Sequence, residues 1–237
     1  MKTQFLIFVL VAALIGFSSC RKEYGEGNII SETRSVNSFT EIDLRCSADV
    51  EIYKGAVQSI EVSDYENLLE YLEVRTSGNT LIIETRPHHV FLQNSEAKVS
   101  IVIPDVITDI EISGSGNVYI NDSLNNLQSV EISGSGTLTG SPASYKSTIN
   151  AEVSGSGEIE LSGDAPAIST EISGSGQIYF RNLFADNAIS SISGSGSTTV
   201  NVSNSLKANI SGSGCIYYYG NPSVSSSITG SGKVIKK

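Results

Sequence analysis

From about residue 110 to the C-terminus, apolar and polar side chains alternate, and the alternation is interrupted at regular intervals. Ser-Gly-Ser-Gly stands at 113–116, 133–136, 154–157, 173–176, 193–196 and 211–214, and Thr229-Gly230-Ser231-Gly232 closes the series. The intervals are 20, 21, 19, 20, 18 and 18 residues, too regular for chance. An aliphatic residue precedes every copy: Ile112, Ile132, Val153, Ile172, Ile192, Ile210 and Ile228. Two positions beyond the final Gly come Val118, Leu138, Ile159, Ile178, Thr198, Ile216 and Val234. A period of two is a strand signature, and no helical period appears between copies. A unit of about twenty residues cannot bury its own apolar face, whereas stacked units turn each aligned position into a continuous ladder. The pattern predicts an all-β fold: a parallel β-helix, or β-solenoid, with about 20 residues per coil, right-handed by the usual sense of parallel crossovers.

The motif itself allows two conformations. One unbroken strand from Ile110 to Ile120 would turn Gly114 and Gly116 inward. A closed coil needs corners, however, and Gly accepts backbone conformations that other residues avoid, so a bend with stacked Ser hydroxyls is the favoured reading. Residues 39–110 lack the motif but alternate in the same way at Ile42, Leu44, Cys46, Ala48, Val50 and Ile52. Short strands are expected at Leu81 to Glu84 and Val99 to Ile103, the former after a Ser77-Gly78-Asn79 turn, with one helical turn within Asp64 to Glu73. This part reads as irregular N-terminal coils, and residues 111–237 as the regular ones.

The start of the chain has a different pattern. Lys2 precedes a thirteen-residue apolar run from Phe5 to Phe17, followed by Ser18, Ser19 and Cys20. That run is short for a bilayer crossing, so residues 1–19 are expected to be a secretory signal of the lipoprotein type, with Cys20 as the lipid anchor. Residues 20–38 are polar and without period, which predicts a tether. The protein is thus expected in the cell envelope, as an outer membrane lipoprotein facing the periplasm or the exterior. Cys46 and Cys215, set about eight coils or roughly 40 Å apart at strand spacing, are too distant for a disulfide.

Composition agrees with strands rather than helices: 40 Ser, 22 Gly, no Trp and one Met among 237 residues. A formal charge of −10 argues against nucleic acid as a partner. Lys233, Lys236 and Lys237 are expected to deter edge-to-edge pairing at the open end of the stack.

The signal, the opening FTEIDLRCSADVEIYKG, the segment SDYENLLEYLEV and repeats of the type EISGSGNVYI together resemble the auto-transporter adhesin head GIN domain family, common as small lipoproteins in Bacteroidetes. The similarity spans roughly residues 36–220. It implies a right-handed β-solenoid exported to the cell envelope, and it carries no catalytic or binding residue with it.

Candidate chemistry is confined to the outer faces. Glu111, Glu131, Glu152 and Glu171 each stand just before the ladder aliphatic residue and point outward. Stacked carboxylates about 5 Å apart repel by about 1 kcal/mol in water, which solvation relieves more readily than a cation does. Tyr119, Tyr179 and Tyr217 share one outward column, interrupted by Thr139, Glu160 and Thr199, a pattern open to sugar stacking but matched as well by cross-strand packing. His88 and His89 are adjacent after Pro87, unlike a zinc site, and Gly-Ser-Gly lacks the Lys-Ser/Thr ending of a phosphate loop. The residues therefore suggest no cofactor and no metal. The expected function is a non-catalytic, lipid-anchored protein with an adhesin-like binding or structural surface. Its partners are the membrane, through the lipid, and a carbohydrate or protein surface. The alternative is a carbohydrate-active β-helix enzyme of polysaccharide-lyase type, or a carbohydrate-binding module; a cleft joining Arg181 to several carboxylates would favour the enzyme.

Overall fold

A computed structural model describes residues 21–237; the expected signal segment and Cys20 lie outside the described residues. The repeat positions fall in register. Strand Asp109–Ile112 runs parallel to Ser129–Ile132, with Ile110 beside Val130 and Ile112 beside Ile132. The same alignment continues through Ile149–Gly155, Gly163–Gly174, Gln177–Gly194, Ser197–Gly212 and Ser223–Gly230. A second face begins with Asn117–Ile120, Thr137–Gly140 and Glu158–Glu160 and ends with Cys215–Tyr219 and Lys233–Lys236. Each copy of the motif marks one coil of a parallel β-solenoid, as the spacing predicts.

The motif is the corner between the two faces, and both sequence readings hold in part. The backbone bends at 113–116, yet parity survives: Gly116 is buried and Gly114 half-buried. The second Gly of each copy is small because the preceding coil's aliphatic residue fills the space above it. A Cβ on Gly214 would stand 2.6 Å from Ile192 Cγ2, and one on Gly157 would stand 2.5 Å from Ile132 Cγ2. The repeat therefore carries a knob and the matching hole in one string, and stacking follows from that complementarity. Hydroxyl ladders form far less than expected. Ser213 and Ser231 bond at 3.1 Å, whereas Ser133 and Ser154 donate back to Glu131 and Glu152 of their own strands at 3.4 and 3.3 Å.

Coil order in space departs from chain order at the start of the stack. Glu41–Leu44 lies between Thr80–Thr85 and Asp109–Ile112, and Asp49–Lys54 between Lys98–Ile103 and Asn117–Ile120. The chain lays down the second coil first, then the outermost, and then crosses back to begin the third. The edges of the outermost coil are covered by antiparallel strands. Leu72–Ser77 pairs with Thr80–Thr85 across the Gly78-Asn79 turn, and Ser59–Tyr65 pairs with Lys98–Ile103. Residues 39–110 are thus two coils plus an antiparallel cap, not irregular coils throughout. The expected helical turn is a short 3₁₀ segment, Leu69–Tyr71.

The expected tether within residues 20–38 is corrected by the structure. Arg21–Tyr24 pairs parallel with Val90–Gln93, and Ile29–Arg34 pairs antiparallel with Ser59–Tyr65. Backbone pairing needs little side-chain pattern, so a polar stretch can serve as an edge strand. The coil swap also brings Cys46 and Cys215 six coils apart, about 29 Å at strand spacing, and both are free thiols.

At the far end, every residue of Ser223–Gly230 is exposed, and Val224 and Ile228 are not covered by another coil among the described residues. Lys236 donates to Asn221 Oδ1 at 3.0 Å, and Lys237 Nζ sits 4.7 Å from the centroid of the Tyr217 ring.

Inside, the ladder of Val118, Leu138, Ile159, Ile178 and Ile216 is fully buried. Thr198 occupies the same ladder, is equally buried, and its Oγ1 has no hydrogen-bond partner. Another buried polar pair is satisfied: Thr170 donates to Ser190 Oγ at 2.8 Å. Thr198→Val keeps the shape and removes the stranded hydroxyl, so it should stabilise by about 1 kcal/mol. In a chain of this size that raises Tm by roughly 2–4 °C; an unchanged or lower Tm in a thermal melt would show that the hydroxyl costs nothing.

Candidate functional site

Glu111, Glu131, Glu152 and Glu171 form one straight outward column on successive strands, each the register partner of the next. The column is one carboxylate longer than the repeats suggest, because Asp43 is the partner of Glu111. Asp43 is 5% exposed; its Oδ2 pairs with Arg45, 2.5 Å from Nη2, and its Oδ1 has no partner. Glu41, Asp109 and Thr80 join Asp43, Arg45, Glu111 and Glu131 around an acidic groove of about 540 Å³. Burial, then the charges of Asp43 and Glu131, push the Glu111 carboxyl above its ordinary value. Among the described residues no three His, Cys, Asp or Glu side chains are grouped to hold a metal ion.

A second charged cluster lies on the outermost coil. Glu84 is 1% exposed and accepts from Arg75 and Arg86, with Nη2 and Nε each at 2.9 Å. Burial pushes its carboxyl up, but the two guanidinium bonds outweigh that and hold it below its ordinary value. His88 reaches only to 3.9 Å from Glu84 and is largely exposed. The pairing of a buried carboxylate with two arginines is a structural clamp at the capped end.

Tyr119, Tyr179 and Tyr217 also share one column, separated by Thr139, Glu160 and Thr199 as the sequence indicates. At about 4.8 Å per strand, the gap from Tyr119 to Tyr179 is about 14 Å, so these rings do not stack on one another. Tyr179 donates to Gln177 two residues earlier on its own strand. Tyr217 lies beneath Lys237, and the nearby Cys215 thiol raises its phenol's pKa. Arg181, whose placement separates the enzyme reading from the binding one, lies over the Tyr219 ring at 5.0 Å from its centroid.

The third side of the solenoid, which the sequence does not single out, holds a trough of about 680 Å³. Its outward row is Ser144, Asp164, Phe184 and Asn201, in register across four coils. Pro166, Asp186, Ser203 and Asn221 line the other edge, and Tyr145, Ala165, Ala185, Val202 and Gly220 complete the lining. Small side chains between two outward rows produce the depression. Phe184 is 56% exposed at its centre. Tyr145 is 6% exposed, and burial pushes its phenol well above the ordinary value.

With this geometry in place, the chain can be set beside known proteins. A family model described as "Putative auto-transporter adhesin, head GIN domain" matches residues 38–222. A solved "putative adhesin" from Bacteroides fragilis is 23% identical, with a TM-score of 0.82, and covers 91% of this chain and 100% of its own. A "putative lipid binding protein" from Parabacteroides distasonis is 26% identical, with a TM-score of 0.74 and coverages of 92% and 100%. A "putative adhesin" from Parabacteroides merdae is 20% identical, with a TM-score of 0.68 and coverages of 92% and 99%. No curated protein matches.

Proposed function

The chain belongs to the auto-transporter adhesin head GIN domain family, and from that premise we propose that it is a lipid-anchored, non-catalytic adhesin of the outer membrane. The observation that carries the reading is the straightness of its outward columns. Side chains on successive coils stand about 4.8 Å apart on a rigid, fully paired sheet, which is a surface built for extended contact rather than for enclosing a substrate. The place of the chain's start supports the anchor. Cys20 immediately precedes Arg21–Tyr24, which pairs with Val90–Gln93 in the outermost coil region. Acyl chains on Cys20 would set the capped end at the bilayer and carry the opposite end and the long faces away from it.

Against the lyase-like alternative stands Arg181, which stacks on Tyr219 instead of meeting carboxylates in a cleft.

Two measurements test this reading separately. Cys20→Ser should shift the protein from the membrane pellet to the soluble fraction, since stable attachment then lacks its acyl chains. Retention of the variant through a high-salt wash overturns the lipid anchor. Soluble residues 21–237 should bind saturably to intact cells; absence of any binding sets the adhesin reading aside.

A further inference from the structure

We propose that the trough on the third side is a saccharide-binding site, which deepens the adhesin reading and rests on it. The first argument is the ring of Phe184. Its row-mates Ser144, Asp164 and Asn201 are all polar, and at 56% exposure the ring adds little to the core. A flat apolar face held on a rigid sheet suits the C–H face of a pyranose. Unlike Tyr179, which is bonded to its own strand, and Tyr217, which lies beneath Lys237, Phe184 makes no such contact with a polar or charged neighbour among the described residues.

The second argument is the set of planar polar groups around the ring. Asp186 Oδ1 accepts from Ser203 Oγ at 3.1 Å, and Asn221 Oδ1 accepts from Lys236 Nζ at 3.0 Å. Asn201 Nδ2 donates to the Arg181 carbonyl at 3.1 Å. Each bond fixes its group in place while leaving capacity for a ligand: Asp186 Oδ2 and Asn201 Oδ1 as acceptors, the Asn221 amide as donor. The Asp164 carboxylate has no side-chain partner among the described residues. Sugar hydroxyls donate and accept at once, so they match this mixture. A fatty acyl chain would leave these groups unsatisfied, and an anionic ligand would meet both Asp164 and Asp186.

Tyr145 and the dimensions give the third argument. Tyr145 lines the trough at 6% exposure, an aromatic side chain set into the lining beside the Phe184 row. A row of four coils spans about 14 Å at strand spacing, a length that suits a short oligosaccharide. Successive coils repeat at a distance close to the length of one sugar ring, so a chain of hexoses laid along the stack meets one outward residue per unit.

The test uses the folded chain 21–237 and neutral trisaccharides of glucose, galactose, mannose and N-acetylglucosamine, followed by saturation-transfer NMR and calorimetry. At least one should bind, and Phe184→Ala and Asp186→Ala should each weaken it at least tenfold while Tyr217→Ala leaves it unchanged. Phe184 and Asp186 are exposed, so both variants should keep the thermal melt of the parent within a few degrees. Saccharide binding undiminished in Phe184→Ala overturns this site, as does loss on Tyr217→Ala alone. If the parent binds cells but none of the saccharides, the saccharide assignment falls and the adhesin reading stands. If it binds neither, both fall.

Discussion

Deleting residues 154–172 is expected to leave a soluble, cooperatively folded protein, whereas deleting residues 154–162 should abolish cooperative folding. The first deletion joins Val153 to Ser173, positions that the structure places one rung apart: Val153 is the register partner of Ile172, and Ser154 that of Ser173. The new junction reads Val-Ser-Gly-Ser-Gly-Gln-Ile-Tyr, so the knob at Val153 and the hole at Gly176 remain in the string. Each buried ladder loses one rung and keeps its alignment. Stability in a stack is close to a sum of unit and nearest-neighbour terms, so one coil among nine rungs should be lost at modest cost. A fall in Tm of no more than about 10 °C corresponds to a few kcal/mol in a chain of this length. The shorter deletion removes the corner and the second-face strand Glu158–Glu160 but leaves Gly163–Gly174 in place. The remaining half-coil must run directly from one face to the third side, which drives a corner into the core. Slipping a strand by one residue already exchanges its two faces. Circular dichroism melts separate the cases, and equal damage from both deletions would mean that the motif does not delimit a coil.

The legible part of this fold is the part at a constant offset from the motif. Ile112, Val118 and their repeats are buried as aligned, and the Glu and Tyr columns stand where parity puts them. Asp43 was within reach of the same reasoning: Leu44 to Val50 spans six residues, as Ile112 to Val118 does, and Arg45-Cys46-Ser47-Ala48 occupies the place of Ser-Gly-Ser-Gly. That substitution hid the coil. The inverted order of the first two coils leaves no mark in the sequence, because either order stacks Ile42 on an aliphatic neighbour. The trough escaped for another reason. Asp164, Phe184 and Asn201 follow the first Ser of their motif copies by ten, eleven and eight residues, although they are register partners. The variation in coil length is concentrated on the third side, where the pairing slips between Phe180 and Phe184. A column that drifts against the repeat cannot be read from the repeat. Evolution can vary that side without disturbing the ladders, which makes it the natural place for specificity to reside.

Gly194→Ala, a change of one methyl group, is expected to destabilise the protein by at least about 2 kcal/mol. The position combines two constraints that are normally separate. Its φ is +133°, a conformation that L side chains rarely adopt, and such strain costs of order 1–3 kcal/mol. Its Cβ would also overlap the carbonyl oxygen of Gly174 and stand 3.1 Å from that residue's C and N. The obstacle is backbone, held by register pairs on both sides, Gly174 to Gly194 and Gly194 to Gly212, so no rotamer change relieves it. Overpacking of this kind adds about 1–3 kcal/mol. With roughly 2–4 °C lost per kcal/mol in a chain of this size, Tm should fall by about 4–8 °C or more. Gly78→Asn is the matched control. Gly78 also has a positive φ, +62°, but nothing lies within 4 Å of its Cβ position, and Asn tolerates the left-handed region in a turn. Its loss should stay below about 1 kcal/mol. The contrast sets a corner where both backbone conformation and the close approach of a neighbouring coil demand glycine against a turn where Asn meets the backbone requirement and nothing approaches. If the two variants melt together, neither the backbone conformation nor the coil-to-coil contact at the corner demands glycine there.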